Sequence, residues 1–341
     1  MTARTGIALV GAGAFGEFCL AAFADMPEVT IAAVVDVDVE RSKRCAERYN
    51  ALSCTRLEDA LTNAEVEIVA LNTPPFLHAE QGLAVLQAGR HLFCEKPLAL
   101  STKDGEALAS AAQASNCRLT VNYVMRQNPL WALAAALRAS SVLGCLLHMD
   151  LANHAAGKDL PANHWFWDPQ QSGGIWIEHG VHFFDAFAWA AGAAGRVLSA
   201  QSSGAAQVEC LAVYGDTLAH FYHGFTHSHR TEQTTVQLTF EHAHVTLHDW
   251  VPTQMIILTE TSLDQLGGLL PATAAVTAYD AHRWQVQVKL GRKSDVYARC
   301  IADGMRHFIS AIKGQEPLKV SAHEALSSLR MAEEAQFLSH S

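Results

Sequence analysis

Three short segments hold the residue types that could do chemistry. The first is Gly11-Ala12-Gly13-Ala14-Phe15-Gly16, with a carboxylate, Asp36, twenty residues after its last glycine. In such a pattern the first glycine allows a tight turn and the second lets backbone amides approach a diphosphate. The third lets a helix close on a strand. The diphosphate then rests on the helix N-terminus, where unpaired N–H groups and the helix dipole favour negative charge. Asp36 can accept hydrogen bonds from both hydroxyls of a ribose and repels a 2′-phosphate. The residues straight after it, Val37, Asp38, Val39 and Glu40, include no arginine. The pattern therefore predicts NAD in preference to NADP.

The second segment is Glu95-Lys96-Pro97 and the third runs from Ser172 to Asp185, with Glu178 and His182 four residues apart. A lysine at the carboxyl end of a strand can set a positive charge beside a reacting hydroxyl, although a solvated surface lysine is the commoner fate. A histidine can take a hydroxyl proton because its pKa lies near neutrality, and a carboxylate can orient it. In a helix, residues four apart share a face. Spacing alone, however, favours an ordinary helical Glu–His pair.

The elements that must position these groups follow from periodicity. Strand patterns at Ile7–Val10, Thr30–Val35, Glu67–Leu71, His91–Cys94 and Arg118–Val121 alternate with helical ones. The helices are a first one reaching about Ala24, then Val39–Tyr49, Leu77–Ala88 and Ser101–Ser115, the last with Ser101 as N-cap. Alternation at this spacing means parallel strands with helical crossovers. After Asn122 the texture changes. A helix at Pro129–Ser140, a strand at Gly144–Asn153 and a helix after Gly173-Gly174 come first. Strands follow at Val197–Ser202, Glu209–Tyr214, Leu218–Gly224, Thr235–Glu241 and Val245–Trp250, with no helices between them. Residues 261–284 carry little periodic signal, and helices near Asp295–Ile312 and Ala322–Leu338 close the chain. The expected fold is α/β plus α+β: a Rossmann doubly wound parallel sheet over residues 1–122, then a domain over 123–341 on a mostly antiparallel open sheet.

Together with Asn72-Thr73-Pro74-Pro75, these motifs resemble in order and spacing the glucose–fructose oxidoreductase and inositol dehydrogenase family, written Gfo/Idh/MocA, over essentially the whole chain. The resemblance implies that Lys96 contacts substrate and nicotinamide and that His182 is the general acid/base. Glu178 takes the place of a usual aspartate that bonds substrate. Asn72, Thr73 and Pro74 would line the adenosine and ribose side of the cofactor, and Glu95 would hold the ribose nearest the nicotinamide. Ala14, Phe15 and His78 join Gly11, Gly13, Gly16 and Asp36 in the expected cofactor set. Two departures stand out: Glu178 is one methylene longer than aspartate, and Ile175 replaces a usual third glycine. The implied activity is reversible oxidation of a secondary alcohol on a sugar, inositol or polyol with NAD. Some relatives in the family are glycosidases that oxidise transiently with held NAD, and similar folds serve as nucleotide-responsive regulators.

The run His164-Trp165-Phe166-Trp167-Asp168 offers flat rings for the C–H faces of such a substrate. Packing at the domain junction is an equal alternative. Asn153, His164, Trp165 and Trp167 are the expected substrate contacts beside Glu178 and His182, with an aryl-substituted or glycosylated substrate as a further possibility. Among the eighteen histidines, His227-x-His229 and His242-x-His244 would each share a strand face. A metal site needs a third ligand and a second shell, which spacing does not supply, so no metal is expected. An exposed or subunit-facing sheet surface is the better use, in a homodimer or homotetramer.

At 341 residues the chain suits two domains, and its charge of -10 with no basic run excludes a nucleic-acid partner. Eight scattered cysteines without a C-x-x-C pair suit a reducing compartment. No stretch matches a secretory leader or a bilayer span, so a cytoplasmic protein without membrane partners is expected.

Overall fold

Continuous apolar runs, with no polar alternation, build the first sheet. In the computed structural model, which describes residues 4–339, β1 (Thr5–Val10) and β4 (Ile68–Leu71) are buried at every position. Strands covered on both faces read this way. With β2 (Val29–Val35), β3 (Leu52–Cys54), β5 (His91–Cys94) and β6 (Leu119–Val121) they form a six-stranded parallel sheet in the order β3-β2-β1-β4-β5-β6. The crossovers are α1 (Ala14–Ala24), α2 (Val39–Tyr49), α3 (Leu57–Leu61), α4 (His78–Gln87) and α5 (Thr102–Ala114). Local chemistry sets their ends. The Asp38 carboxylate caps α2 by accepting from the amides of Glu40 and Arg41, and Asn50 ends that helix in the left-handed region. Ser101 caps α5, as its sequence predicts. Strand β3 and helix α3 escape periodicity analysis because three and five residues are too few to show a period.

The order of strands reverses between β1 and β4, so the crossovers leave the sheet in opposite directions from this point. Ligands of open α/β sheets gather at the carboxyl ends of the strands here.

The second sheet has nine strands, ordered β14-β15-β13-β12-β11-β7-β10-β9-β8. They are β7 (Leu146–His154), β8 (Gly195–Ser203), β9 (Gln207–Tyr214), β10 (Thr217–Gly224), β11 (Gln233–Phe240), β12 (Ala243–His248), β13 (Gln254–Thr259), β14 (Ala275–Ala278) and β15 (Trp284–Lys289). All neighbours are antiparallel except β7 and β10, which pair in parallel. Burial alternates along the strands: Ala219, Phe221 and His223 of β10 face inward, while Leu218, His220 and Tyr222 face the other way. Helices α6 (Pro129–Ser140) and α8 (Val181–Ala191) cover the inner face. There the Phe187 ring lies 4.5 Å from Phe221 and 6.1 Å from Trp131. Residues 261–284, which carry little periodic signal, hold α9 (Leu263–Leu266) and the edge strand β14, whose four residues are all exposed. An edge strand with neither face buried has no hydrophobic alternation to read.

The compact units are not collinear with the chain. One comprises the residues up to Val124 with Pro169–Gly173 and Ala298–Arg330; the other comprises Met125–Asp168, Gly174–Tyr297 and the residues from Met331 on. The first segment thus ends two residues from the expected boundary, but α7 (Pro169–Ser172) and much of α10 (Lys293–Ile312) and α11 (Ala322–Leu338) return to the first unit. Apolar contacts explain the return: Phe308 meets Phe93, and a Cβ on Gly105 would strike Leu326.

Candidate functional site

In the first unit, the expected cofactor residues collect at the carboxyl ends of β1, β2, β4 and β5. Gly11 has φ +91, and a Cβ there would lie 2.8 Å from the Asn72 carbonyl. The turn after β1 therefore packs backbone to backbone against Asn72-Thr73. A Cβ on Gly16 would lie 2.0 Å from the Gly11 carbonyl oxygen, so glycine alone lets α1 close on β1. A Cβ on Gly13 meets nothing within 4 Å. Gly13 is also the N-cap of α1 and supplies no side-chain cap. The first amides of an eleven-residue helix thus have no capping side chain at Gly13 and begin beside an uncluttered backbone, an arrangement that fits a diphosphate. Ala14 and Phe15 form the first helical turn.

Asp36 is buried, and each of its oxygens accepts a backbone amide: Ala12 N–H at 2.8 Å and Asp38 N–H at 2.9 Å. The Arg41 guanidinium lies 3.3 Å from the same carboxylate and 3.4 Å from Asp38. Arg41 lies just beyond the four residues Val37–Glu40 that follow Asp36 in sequence. The first turn of α2 folds it back.

Behind the β4 and β5 ends, Asn72 donates to Cys19 Sγ at 3.3 Å and Thr73 to Gln81 at 2.7 Å. Glu95 is buried and accepts from Asn122, a partner the sequence did not disclose. Lys96 follows directly, and Lys96–Pro97 is a cis peptide. His78, expected at the cofactor, is fully buried instead. Its Nδ1 lies 2.7 Å from the Pro97 carbonyl and its Nε2 2.8 Å from the Thr73 carbonyl. Both nitrogens face backbone carbonyls, and the neutral ring donates to one of them through whichever nitrogen carries its single proton, so His78 packs between the Asn72–Pro74 turn and the Glu95–Pro97 turn. Burial holds its pKa below the usual histidine range.

In the second unit, Glu178 and His182 are both buried. The helix carrying them is not uniform: Trp176–Gly180 makes a π-helical turn that runs into α8. Such wide turns are found often at functional sites. His179, between the two, was not singled out from sequence, although the run Glu178-His179-Gly180-Val181-His182 displayed it. Its ring lies 6.2 Å from that of His182, 5.2 Å from Phe225 and 6.3 Å from Trp250, and its Nδ1 is 3.9 Å from Glu178. Trp250 also meets His182 at 5.7 Å and Tyr297 at 5.0 Å. The last residue of the motif, Asp185, receives two hydrogen bonds from Arg126, at 2.7 and 2.8 Å, both groups being buried.

The aromatic run reaches this cluster indirectly. Phe166 packs on Phe225 at 4.6 Å and Trp167 on the same ring at 6.5 Å, while Trp165 meets His164. His164 Nδ1 accepts from the Phe166 amide and so caps the short turn Trp165–Trp167. Asn153 is 1% exposed and engaged at both ends of its amide, with Thr234 and with His223. The two spaced histidine pairs do not share strand faces as expected. His227 and His229 lie past the end of β10, and His242 lies in the turn before β12, paired with Glu260 at 2.9 Å.

Comparison with known proteins decides the family. Residues 5–123 match a family model described as an oxidoreductase family with NAD-binding Rossmann fold, and residues 131–251 match the GFO/IDH/MocA C-terminal domain. The chain belongs to the Gfo/Idh/MocA family. It is 39% identical over 124 residues to a 4-carboxy-2-hydroxymuconate-6-semialdehyde dehydrogenase of Sphingobium sp. (strain NBRC 103272 / SYK-6), covering 36% of this chain and 39% of that one. It is 31% identical over 150 residues to an inositol 2-dehydrogenase of Paenarthrobacter aurescens (strain TC1), covering 43% and 44%. These matches span less than half the length of each relative. Among solved structures, a levoglucosan dehydrogenase in complex with NADH and levoglucosan superposes with TM-score 0.83 at 16% identity, over 99% of this chain and 97% of that one. GenD2 from gentamicin A biosynthesis, in complex with NAD, gives 0.81 at 23%, over 100% and 95%. At these identities the likeness is one of fold. Among the described residues no helix is long and apolar enough to cross a membrane, and no cluster of three or more metal-binding side chains occurs.

Proposed function

We propose that this Gfo/Idh/MocA protein is an NAD-dependent oxidoreductase that moves a hydride between the cofactor and a secondary alcohol carbon of a sugar, inositol or polyol-like substrate. The observation that carries the reading is a complete dinucleotide cradle in the same chain as a buried imidazole, His182, and a buried carboxylate, Glu178. Bound NAD supplies the hydride acceptor. His182 takes the proton of the reacting hydroxyl, leaving a ketone once the hydride has departed from the same carbon. The Lys96 ammonium donates to that oxygen and favours its developing negative charge. Glu178 accepts from a neighbouring hydroxyl and fixes which carbon reacts.

Asp36 supports NAD over NADP, because a carboxylate there accepts ribose hydroxyls and repels a phosphate. Eight free cysteines suit the cytoplasm. The outer face of the second sheet, where Leu211 and Leu218 are half exposed on neighbouring strands, suits contact with a second copy of the chain. Sedimentation tests that assembly. The reaction itself is tested by NAD reduction across sugars, inositols and aryl glycosides. Lys96→Ala and His182→Ala should each abolish turnover while NADH still binds. Normal turnover in both variants refutes the assigned roles, and hydrolysis of a glycoside without accumulated NADH replaces net oxidation by a transient one.

A further inference from the structure

Asn153, Thr234 and His223 stand directly opposite one another across β7, β11 and β10, on the buried face of the sheet. The Thr234 hydroxyl donates to Asn153 Oδ1 at 2.8 Å, so the other end of the amide, Nδ2, donates to His223 Nδ1 at 3.1 Å. An Nδ1 that accepts must carry no proton. The neutral ring therefore holds its proton on Nε2. Burial keeps the ring neutral, with nearby His179 acting in the same direction.

The Nε2–H has no hydrogen-bond partner among the described residues, and the ring is fully buried. Three rings surround it: Trp176 at 5.3 Å, His179 at 5.4 Å and Phe183 at 5.4 Å. Of these only the His179 imidazole carries a nitrogen that can accept. Buried donors are rarely left unsatisfied without a reason.

We propose that Thr234, Asn153 and His223 form a positioning relay for His179, and that His179 is a specificity-determining residue that donates a hydrogen bond to the substrate. When the His179 ring turns to accept from His223 Nε2–H at one nitrogen, its other nitrogen is fixed as the protonated one. It then presents a neutral N–H within the cluster that also contains Glu178 and His182. A substrate oxygen bearing a lone pair, next to the carbon that reacts, is its partner. No proton is transferred along this chain; it sets a tautomer. Asn153 then acts through His223 and does not touch substrate itself. The inference rests on the proposed reaction for its substrate, but its first test does not.

That test is two-bond 1H–15N correlation spectroscopy on histidine-labelled protein. His223 should appear as the Nε2–H tautomer and stay neutral through the range where an ordinary histidine titrates. In Asn153→Leu, which fills the space but cannot donate, His223 should lose its single tautomer and the His179 resonances should move with it. With the best alcohol from the panel, Asn153→Leu should raise KM by about tenfold with little change in kcat, as loss of one substrate hydrogen bond implies. His223→Gln, whose amide N–H can replace the donor, should remain closer to wild type than His223→Phe, and this pair decides the matter if Asn153→Leu fails to fold. A His223 protonated on Nδ1, or His179 resonances and KM indifferent to the relay variants, overturns the inference. If the wild type oxidises no alcohol, the proposed reaction fails, and the His179 resonances still decide the relay.

Discussion

Two alanine substitutions in the same glycine loop should have opposite consequences. At Gly16 an added Cβ would sit 2.0 Å from the Gly11 carbonyl oxygen, 3.1 Å from its carbonyl carbon and 3.3 Å from Leu9 Cδ2. Ordinary carbon contacts lie at about 3.5–4.0 Å, so helix and strand must part by more than an ångström. Overpacking costs about 1–3 kcal/mol when side chains can yield, and an obstacle made of backbone places Gly16→Ala at or above the top of that range. At Gly13 the backbone is extended, with φ −64 and ψ −178, and the Cβ meets nothing within 4 Å. Gly13→Ala should fold normally and gain about 0.4–1 kcal/mol from a less flexible unfolded chain. The open space it fills is the approach to the α1 amides. Each charge-assisted hydrogen bond lost to a diphosphate is worth about 1.5–3 kcal/mol, roughly ten- to a hundredfold in Kd. Urea unfolding and calorimetric titration with NADH would separate the two effects. Gly13→Ala should keep its stability and lose most of its affinity, while Gly16→Ala should lose stability first. If Gly13→Ala binds NADH as the wild type does, the diphosphate does not lie on this turn and the cradle is misread.

Asp185→Ala removes the partner of a buried guanidinium, Arg126, and should cost about 3–5 kcal/mol in urea unfolding; a variant as stable as the wild type would mean that water or another group compensates. Arg41→Ala should weaken binding of NADPH more than that of NADH, because it removes the cation that lies 3.3 Å from Asp36, whereas Asp36→Ala should narrow the gap between the two cofactors from the other side; equal affinities in wild type and both variants would sink the role given to this pair. His78 and His223 are held below the usual 6.5, burial being the main cause in both, so the unfolded chain binds protons that the folded one resists. Their contribution to stability is complete above that value and drains as pH falls towards their depressed folded values, so unfolding should become progressively easier as pH falls below that value. His223→Phe should flatten this slope, and a stability that holds level on acidification would falsify the account.

Long, strongly patterned pieces were readable from the chain alone. Helices Val39–Tyr49, Pro129–Ser140 and Ala322–Leu338 fall where periodicity puts them, because each is long enough to show a face and is bounded by residues that cap or end it. The glycine loop and Asp36 were equally plain, since backbone geometry leaves few residue types able to serve there. Strands β13 and β15 were passed over, and so was β14, the edge strand without a buried face.

Partnerships between distant residues were another matter. Hydrophobic period and turn chemistry are local properties, and they settled the two-sheet plan and the loop that cradles a dinucleotide. Which side chains meet across strands is fixed by register and by the packing of helices on the sheet, and no local pattern carries that information. Only the folded chain brought Arg41 onto Asp36, moved His78 from a presumed ligand contact to a place between two backbone turns, and set His223 against Asn153 and His179.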